Sequence, residues 1–221
     1  LHSKIDFIEI LDEKGHEGGV EKLNPSHSGE WAPPVHEATG GHGFSNQHSD
    51  NPVLVSVGAG VVFDDFCDWA AKEGLWGVEN LSYIPGEVGA SAVQNIGAYG
   101  AEAKDVIERV HFFDVEDRKH HTLGCAECRF AYRESIFKHE LKGRAIITSV
   151  EFRLSKSSQP SLGYGDLAKE VEARGGATLK NIREAICAIR ASKLPDPKEL
   201  GNAGSFFKNP IVAKEVAEQL L

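Results

Sequence analysis

A glycine-rich segment at residues 84–100 carries residue types that suit the binding of a flat ligand. Its sequence, IPGEVGASAVQNIGAYG, contains small residues that let backbone N–H groups approach a ligand closely. Gln94, Asn95 and Tyr99 add neutral polar edges that match a heterocycle. The segment lacks the G-K-[ST] sequence of a phosphate-binding P-loop. On composition alone, a loop that only packs against a sheet is an equally good interpretation.

Ser205 and its neighbours form a second candidate site. Residues 193–210 read KLPDPKELGNAGSFFKNP, so glycines flank the serine and Asn and Lys side chains lie nearby. A serine hydrolase is excluded, because Phe207 replaces the last glycine of the G-x-S-x-G elbow and no histidine follows Ser205. A third candidate, YRESIFK at residues 132–138, is also consistent with a salt-bridged surface turn.

Residues 58–60, Gly-Ala-Gly, nearly match the G-x-G-x-x-G fingerprint of dinucleotide-binding proteins. Glu79 follows at about the spacing of 20 residues that this fingerprint expects. However, Phe63 occupies the third glycine position and would block close packing of helix on strand. Asp64 and Asp65 would also face the pyrophosphate. We therefore predict a tight structural turn.

The cysteines and histidines only partly match metal-ligand spacing. Cys125 and Cys128 form a C-x-x-C pair with His120 and His121 upstream, but a structural zinc site usually needs a second such pair. We predict a turn with reduced thiols and no metal site. Residues 15–52 carry irregularly spaced histidines that indicate a solvated insertion, namely His16, His27, His36, His42 and His48.

These candidates must be positioned by a mixture of strands and helices. Period-two and continuous apolar runs predict strands, and the i, i+3, i+4 spacing predicts helices. Residues 15–52 lose this periodicity and are predicted to be a loop. The predicted strands are 5–11, 53–57, 106–115 and 145–154, and the predicted helices are 63–72, 178–191 and a segment after Pro210. Because strands outnumber simple βαβ units, we predict an α+β fold.

The composition excludes several classes of partner. The 221 residues include 24 Lys and Arg against 33 Asp and Glu, a formal charge of −9 that disfavours nucleic acid. No apolar run approaches the roughly 20 residues of a membrane span, and the first residues have no signal-peptide pattern. Only four cysteines in a chain this long indicate a reducing cytoplasm.

Three segments in this order resemble the enolpyruvyl-UDP-GlcNAc reductase family of bacterial cell-wall synthesis. They are residues 84–100, AYRESIFK at 131–138, and residues 193–210. YGDL at residues 164–167 also resembles the tyrosine-bearing loop of the family's longer subtype. Together the matches extend over most of the chain after residue 52.

The resemblance implies an α+β flavin-binding domain of the vanillyl-alcohol-oxidase type. This domain would cover residues 1–193, with residues 15–52 as an insertion, and residues 194–221 would begin an α+β substrate domain. The family's pyrophosphate-wrapping glycine loop would precede Leu1, and its catalytic glutamate would follow Leu221. We therefore expect an internal part of a longer protein, which alone binds FAD weakly or not at all.

The resemblance further implies an enzyme that reduces an enol ether conjugated to a carboxylate, with non-covalently bound FAD that is reduced by NADPH. Arg133 would stabilise the negative charge that builds on the carboxylate, because its planar guanidinium suits that group. Ser205 would donate a proton to the α carbon, assisted by Lys208 or Lys193. Tyr164, between Gly163 and Gly165, would lie on a mobile loop that closes over the substrate.

The remaining site residues also follow from the resemblance. Residues expected to contact FAD are Ile84, Pro85, Gly86, Gly89, Ala90, Ser91, Gln94, Asn95, Gly97, Ala98, Tyr99 and Ile147. Residues expected to contact the nucleotide sugar are Tyr99, Tyr132, Tyr164, Lys193 and Asn209. A cytoplasmic monomer is expected. Two alternatives remain: another FAD oxidoreductase of the same fold, or a non-catalytic fragment or binding module.

Overall fold

The computed structural model describes residues 7–11, 17–21, 52–193, 199–200, 209–210 and 212–219. Its strands are β1 (Ile8–Leu11), β2 (Glu17–Glu21), β3 (Pro52–Gly58), β4 (Gly97–Ala98), β5 (Ala101–Glu102), β6 (Ile107–Asp114), β7 (Lys119–Gly124) and β8 (Ala145–Ser155). Its α-helices are α1 (Phe63–Lys72), α2 (Val88–Val93), α3 (Leu167–Glu172), α4 (Leu179–Lys193) and α5 (Lys214–Glu218).

Six of the strands form one antiparallel sheet in the order β2-β1-β3-β8-β6-β7. The central strand is β8, which pairs with β3 on one side and β6 on the other. Val57 lies opposite Val150, and Val150 lies opposite Val110, so buried valines from three strands form one row. Strands β4 and β5 form a separate two-stranded ribbon. The mixture of one antiparallel sheet with packed helices agrees with the predicted α+β class.

Helix α1 covers this valine face with aromatic side chains. Phe63, Phe66, Cys67 and Ala70 follow the i, i+3, i+4, i+7 pattern of one helix face, and all are buried. The Phe66 ring lies 4.7 Å from the ring of Phe152 on β8, measured between centroids. The core of the domain therefore lies between α1 and the sheet.

The predicted elements agree with the structure at most boundaries. Helix α1 spans the predicted residues 63–72, and β6 and β8 lie within one residue of the predicted strands. Helix α4 begins one residue later and ends two residues later than predicted. Strand β1 begins at Ile8, and residues 5 and 6 of the predicted strand lie outside the described residues. Helix α5 begins only at Lys214.

The prediction of a continuous loop over residues 15–52 is wrong at both of its ends. Residues 17–21 form β2, which pairs with β1, and Pro52 begins β3. The sequence of β2, Glu-Gly-Gly-Val-Glu, has a single apolar side chain and no alternation, so its pairing comes from the neighbouring strand rather than from its own pattern. Residues 22–51 of the predicted loop lie outside the described residues.

The chain divides into two compact units, residues 1–187 and 188–221. This division falls within α4, whereas the predicted domain boundary follows Lys193, the last residue of that helix. The assignment of a substrate domain to residues 194–221 stays a prediction. In the part of the chain that the structure describes, no helix has both the length and the apolar character that crossing a bilayer requires.

Arg183 joins α4 to α1 through two carboxylates. Its Nη1 and Nη2 donate to Asp64 at 2.6 and 3.1 Å, and its Nε donates to Asp68 at 3.1 Å. The Arg183 side chain is only 15% exposed, against 27% for Asp64 and 42% for Asp68. Asp64 also accepts the backbone N–H of Tyr83, so one carboxylate holds three parts of the chain.

We expect Arg183→Met to lower the free energy of unfolding by about 1–3 kcal/mol, because it leaves Asp64 partly buried without its cation. Urea unfolding of the purified protein would measure this loss. Lys180→Met on the same helix is the matched control, since Lys180 and Glu184 are 81% and 53% exposed. A change above about 0.5 kcal/mol in the control, or below that value in Arg183→Met, would contradict the expectation.

Candidate functional site

Helix α2 packs directly on the turn that follows β3. Val61 N donates to Gly58 O at 3.1 Å, so the Gly-Ala-Gly sequence forms the tight turn that was predicted. Gly89 N donates to Ala59 O at 2.9 Å, and Ala59 N donates to Thr148 O on β8 at 2.9 Å. A Cβ at Gly89 would lie 2.9 Å from the Cβ of Ala59, so this approach requires glycine.

A depression of about 210 Å³ lies beside this contact. It is lined by the Ala59 turn, by α2 and by the beginning of β8. The lining residues are Ala59, Glu87, Gly89, Ala90, Val93, Ala145 and Ile147. The resemblance assigns Gly89, Ala90 and Ile147 to FAD. The fold brings Ile147 next to Gly89 and Ala90, although it is distant from them in the chain. The small side chains of this surface fit a planar cofactor.

Asn95 anchors the end of the glycine-rich segment to two neighbouring parts of the chain. Its side chain is fully buried, its Nδ2 donates to Ala131 O at 2.9 Å, and its Oδ1 accepts from Lys104 N at 2.9 Å. Asn95 has φ 45°, in the left-handed region that asparagine tolerates better than most residues. These contacts direct its amide into the protein, so its contribution to a bound ligand is to fix the backbone.

Arg133 lies against the same segment. Its Nη1 donates to Asn95 O at 3.2 Å and its Nη2 donates to Gly97 O at 2.6 Å. Its Cζ also lies 5.1 Å from the centre of the Tyr132 ring, within the range of a cation–π contact. Of the five guanidinium N–H groups, these two carbonyls use two, which leaves donors for an anionic group. The guanidinium is thus a cation that is held in place beside the glycine-rich segment.

A tight turn positions Arg133. Ala131 N donates to Glu134 O at 3.0 Å and Glu134 N donates to Ala131 O at 3.1 Å, with Tyr132 and Arg133 between them. Arg133 has φ 56°, which is uncommon for a residue with a side chain. Lys138 Nζ donates to the Arg133 carbonyl at 2.8 Å and stabilises this conformation. The sequence places Lys138 in the right segment but gives no signal for this role.

Tyr99 and Tyr164, two predicted substrate contacts, lie next to each other. Their ring centres are 5.8 Å apart and their planes are inclined by 79°, an edge-to-face arrangement. Tyr99 is half-buried, whereas Tyr164 is 59% exposed. Residues from the glycine-rich segment and from the loop before α3 are therefore brought together.

The other predicted site residues differ in exposure. Within the segment, Pro85, Gly86 and Gln94 are exposed, Ile84 and Ala98 are half-buried, and Ser91 is buried with its hydroxyl donating to Val88 O at 2.6 Å. Lys193 and Asn209 are exposed and belong to the second unit. Ser205 lies outside the described residues. The assignment of all these residues to cofactor, substrate or catalysis stays a prediction.

The Cys125–Cys128 pair lies in the turn after β7. Burial raises the pKa of the Cys128 thiol to about 12 and also raises the pKa of Cys125. Cys125 Sγ contacts Lys104 O at 3.4 Å. Among the described residues, the group of three potential metal ligands is Asp114, Asp117 and His121, not this pair. Asp114 there already pairs with Arg144 at 2.6 Å.

Known proteins match both the sequence and the fold. Residues 40–124 match the family of FAD binding domains. The chain is 57% identical over 176 residues to the UDP-N-acetylenolpyruvoylglucosamine reductase of Neisseria gonorrhoeae, covering 78% of this chain and 51% of that protein. It is 53% identical over 172 residues to the enzyme of the same name from Bacteroides fragilis, covering 78% and 52%.

A solved structure agrees with these relatives. The crystal structure of UDP-N-acetylenolpyruvylglucosamine reductase (MurB) from Thermus caldophilus matches with a TM-score of 0.52 and 27% identity, covering 75% of this chain and 53% of that one. The fold and the family match thus define an FAD-binding domain. Over 78% of its own length, the chain is similar to members of the UDP-N-acetylenolpyruvoylglucosamine reductase family. It spans about half the length of the curated relatives that it matches.

Gly97 leaves no room for a side chain. A Cβ there would lie 2.9 Å from both Arg133 Nη1 and Ala101 O. We expect Gly97→Ala to lower stability by about 1–3 kcal/mol, because it forces the guanidinium or the ribbon to move. Urea unfolding checks this value. The control is Gly124→Ala, whose Cβ would meet only Glu127 Oε2, at 3.4 Å.

A double-mutant cycle would separate the two contacts of Gly97. If the guanidinium opposes the added methyl group, the cost of Gly97→Ala falls by at least about 0.5 kcal/mol in an Arg133→Ala background. An unchanged cost would mean that Ala101 and Glu102 of β5, whose nearest atoms would lie 2.9 and 3.0 Å from the added Cβ, require the glycine.

Proposed function

We propose that the protein containing this chain reduces UDP-N-acetylglucosamine enolpyruvate to UDP-N-acetylmuramate in peptidoglycan synthesis, with FAD as cofactor and NADPH as electron donor. The observation that carries the proposal is Arg133, a cation held at the edge of the glycine-rich segment by the carbonyls of Asn95 and Gly97. Relatives at 53–57% identity that bear this enzyme name support it. The protein would act in the cytoplasm as a monomer.

The residues of the candidate segment fit FAD. Gly89 lets α2 pack against Ala59, and Ala90 presents only a methyl group at the exposed surface of α2. Ile147 adds an apolar surface from β8. FAD held there and reduced by NADPH would supply a hydride for the carbon β to the substrate carboxylate. The chain itself must then bind the substrate, stabilise the negative charge that forms, and provide a proton.

Arg133 would perform the electrostatic part of this chemistry. Hydride addition moves negative charge onto the carboxylate, so a cation there stabilises the transition state more than the ground state. Arg133 is held in place without substrate. Its guanidinium donates to the carbonyls of Asn95 and Gly97 and lies on the Tyr132 ring, and its own carbonyl accepts from Lys138. A group that is already positioned needs no reorganisation during the reaction.

Arg133→Lys tests this role, because lysine keeps the charge but loses the planar fork. In the protein expressed from its complete gene, we expect kcat for substrate reduction to fall by about 10²–10³-fold with FAD still bound. Arg129→Lys is the matched control, since Arg129 and its partner Glu140 are 65% and 56% exposed. Equal kcat values for wild type and Arg133→Lys would show that the guanidinium has no part in the reaction.

Ser205 would supply the proton at the α carbon. Ser205→Ala should slow substrate reduction by at least about 10²-fold and leave reduction of the flavin by NADPH unchanged. The two half-reactions separate because only the second needs a proton at the substrate. Stopped-flow absorbance of the flavin measures both. Oxidation of the reduced flavin by substrate at the wild-type rate would disprove the assignment of Ser205, and a protein that never binds FAD would disprove the proposed function.

A further inference from the structure

Asn80 is a buried amide that joins two distant segments. It lies in the 3-10 helix Glu79–Leu81 and is 2% exposed. Its Nδ2 donates to Tyr99 O at 2.9 Å and to Ser161 O at 2.8 Å. An amide nitrogen carries two hydrogens, so both are used. The reversed amide would place Oδ1 against two carbonyl oxygens, so these acceptors also determine its orientation.

The two acceptors belong to the segments that carry the tyrosine pair. Tyr99 is itself one member, and Ser161 lies three residues before Tyr164. The positions are 19 and 81 residues away from Asn80 in sequence. The edge-to-face contact of Tyr99 with Tyr164 is weak by itself, since Tyr164 is 59% exposed. The backbone anchor on Asn80 is therefore what keeps the two segments at the distance where the rings meet.

We propose that Asn80 is a positioning residue, which fixes Tyr99 and the base of the Tyr164 loop so that both rings face the same ligand. The inference rests on the proposed function for the identity of that ligand, the nucleotide-sugar substrate. Asn80 itself acts through the two backbone carbonyls. Its effect should be on substrate binding rather than on the chemical step, because Arg133 is held by separate contacts.

The chain provides a matched control for this amide. Asn181 Nδ2 donates to Arg174 O at 3.0 Å and to Gly176 O at 2.8 Å, the same pattern of two backbone acceptors. Asn→Asp at either position is nearly isosteric, removes both donors, and places a carboxylate oxygen against two carbonyls. Asn181 lies at the start of α4 and has no contact with the tyrosine pair among the described residues. The two variants therefore remove the same pair of donors at different places, Asn80 being buried and Asn181 half-buried.

The first test needs no substrate. In the protein expressed from its complete gene, we expect Asn80→Asp to increase amide hydrogen exchange in residues 159–166 by about tenfold or more. Asn181→Asp should leave exchange in these residues at the wild-type rate. Unchanged exchange in Asn80→Asp, or an equal increase in both variants, would overturn the proposal. If Asn80→Asp does not fold, Asn80→Ala removes the same donors without adding charge and takes its place.

The second test separates the proposal from the proposed function. With active protein, Asn80→Asp should raise KM for the nucleotide sugar about tenfold with kcat within about twofold of wild type. The effect on KM should become smaller in a Tyr164→Ala background, because Asn80 acts in part through that residue. A fall in kcat at constant KM, or an undiminished effect without Tyr164, would overturn the role. Absence of activity in the wild type would contradict the proposed function, and the exchange experiment would still decide whether Asn80 anchors the loop.

Discussion

The close packing of α2 on the turn after β3 is the contact on which the candidate site depends. Pairing of β3 with β8 brings Ala59 close to Thr148. The backbone hydrogen bond between these two residues fixes the turn at the end of β3. Gly89 can then approach Ala59 because it has no side chain. Residues 94–100 follow directly from α2, so their position depends on this contact. The turn that carries Arg133 is bonded to Asn95 and Gly97 of this segment.

The segments that follow are joined by side chains bonded to backbone carbonyls. Asn95 bonds to Ala131, Arg133 bonds to Asn95 and Gly97, and Lys138 bonds to Arg133. Such bonds tie loops together without a continuous sheet, and each has a charged or amide donor of good strength. They also place a cation where an acidic protein of net charge −9 would otherwise disfavour an anionic ligand.

The sequence predicts the elements that are determined by their own local pattern and misses those that depend on contacts with distant parts of the chain. Helix α1 and strands β6 and β8 carry their own apolar period, so they were predicted almost to the residue. Strand β2 carries none and was missed. The residues of the candidate site came from motifs. Their conformations did not, because the positive φ values of Tyr99 and Arg133 belong to residue types that rarely adopt them.

The sheet order leaves β7 as a terminal strand. A terminal strand presents backbone groups that can pair with another chain and so promote aggregation. Strand β7 has the sequence Lys-His-His-Thr-Leu-Gly, is only six residues long, and has exposed Lys119 and His120 at its start. Short length and a charged, polar surface disfavour the addition of a further strand. The hairpin that ends the sheet is thus also the feature that limits self-association through this edge.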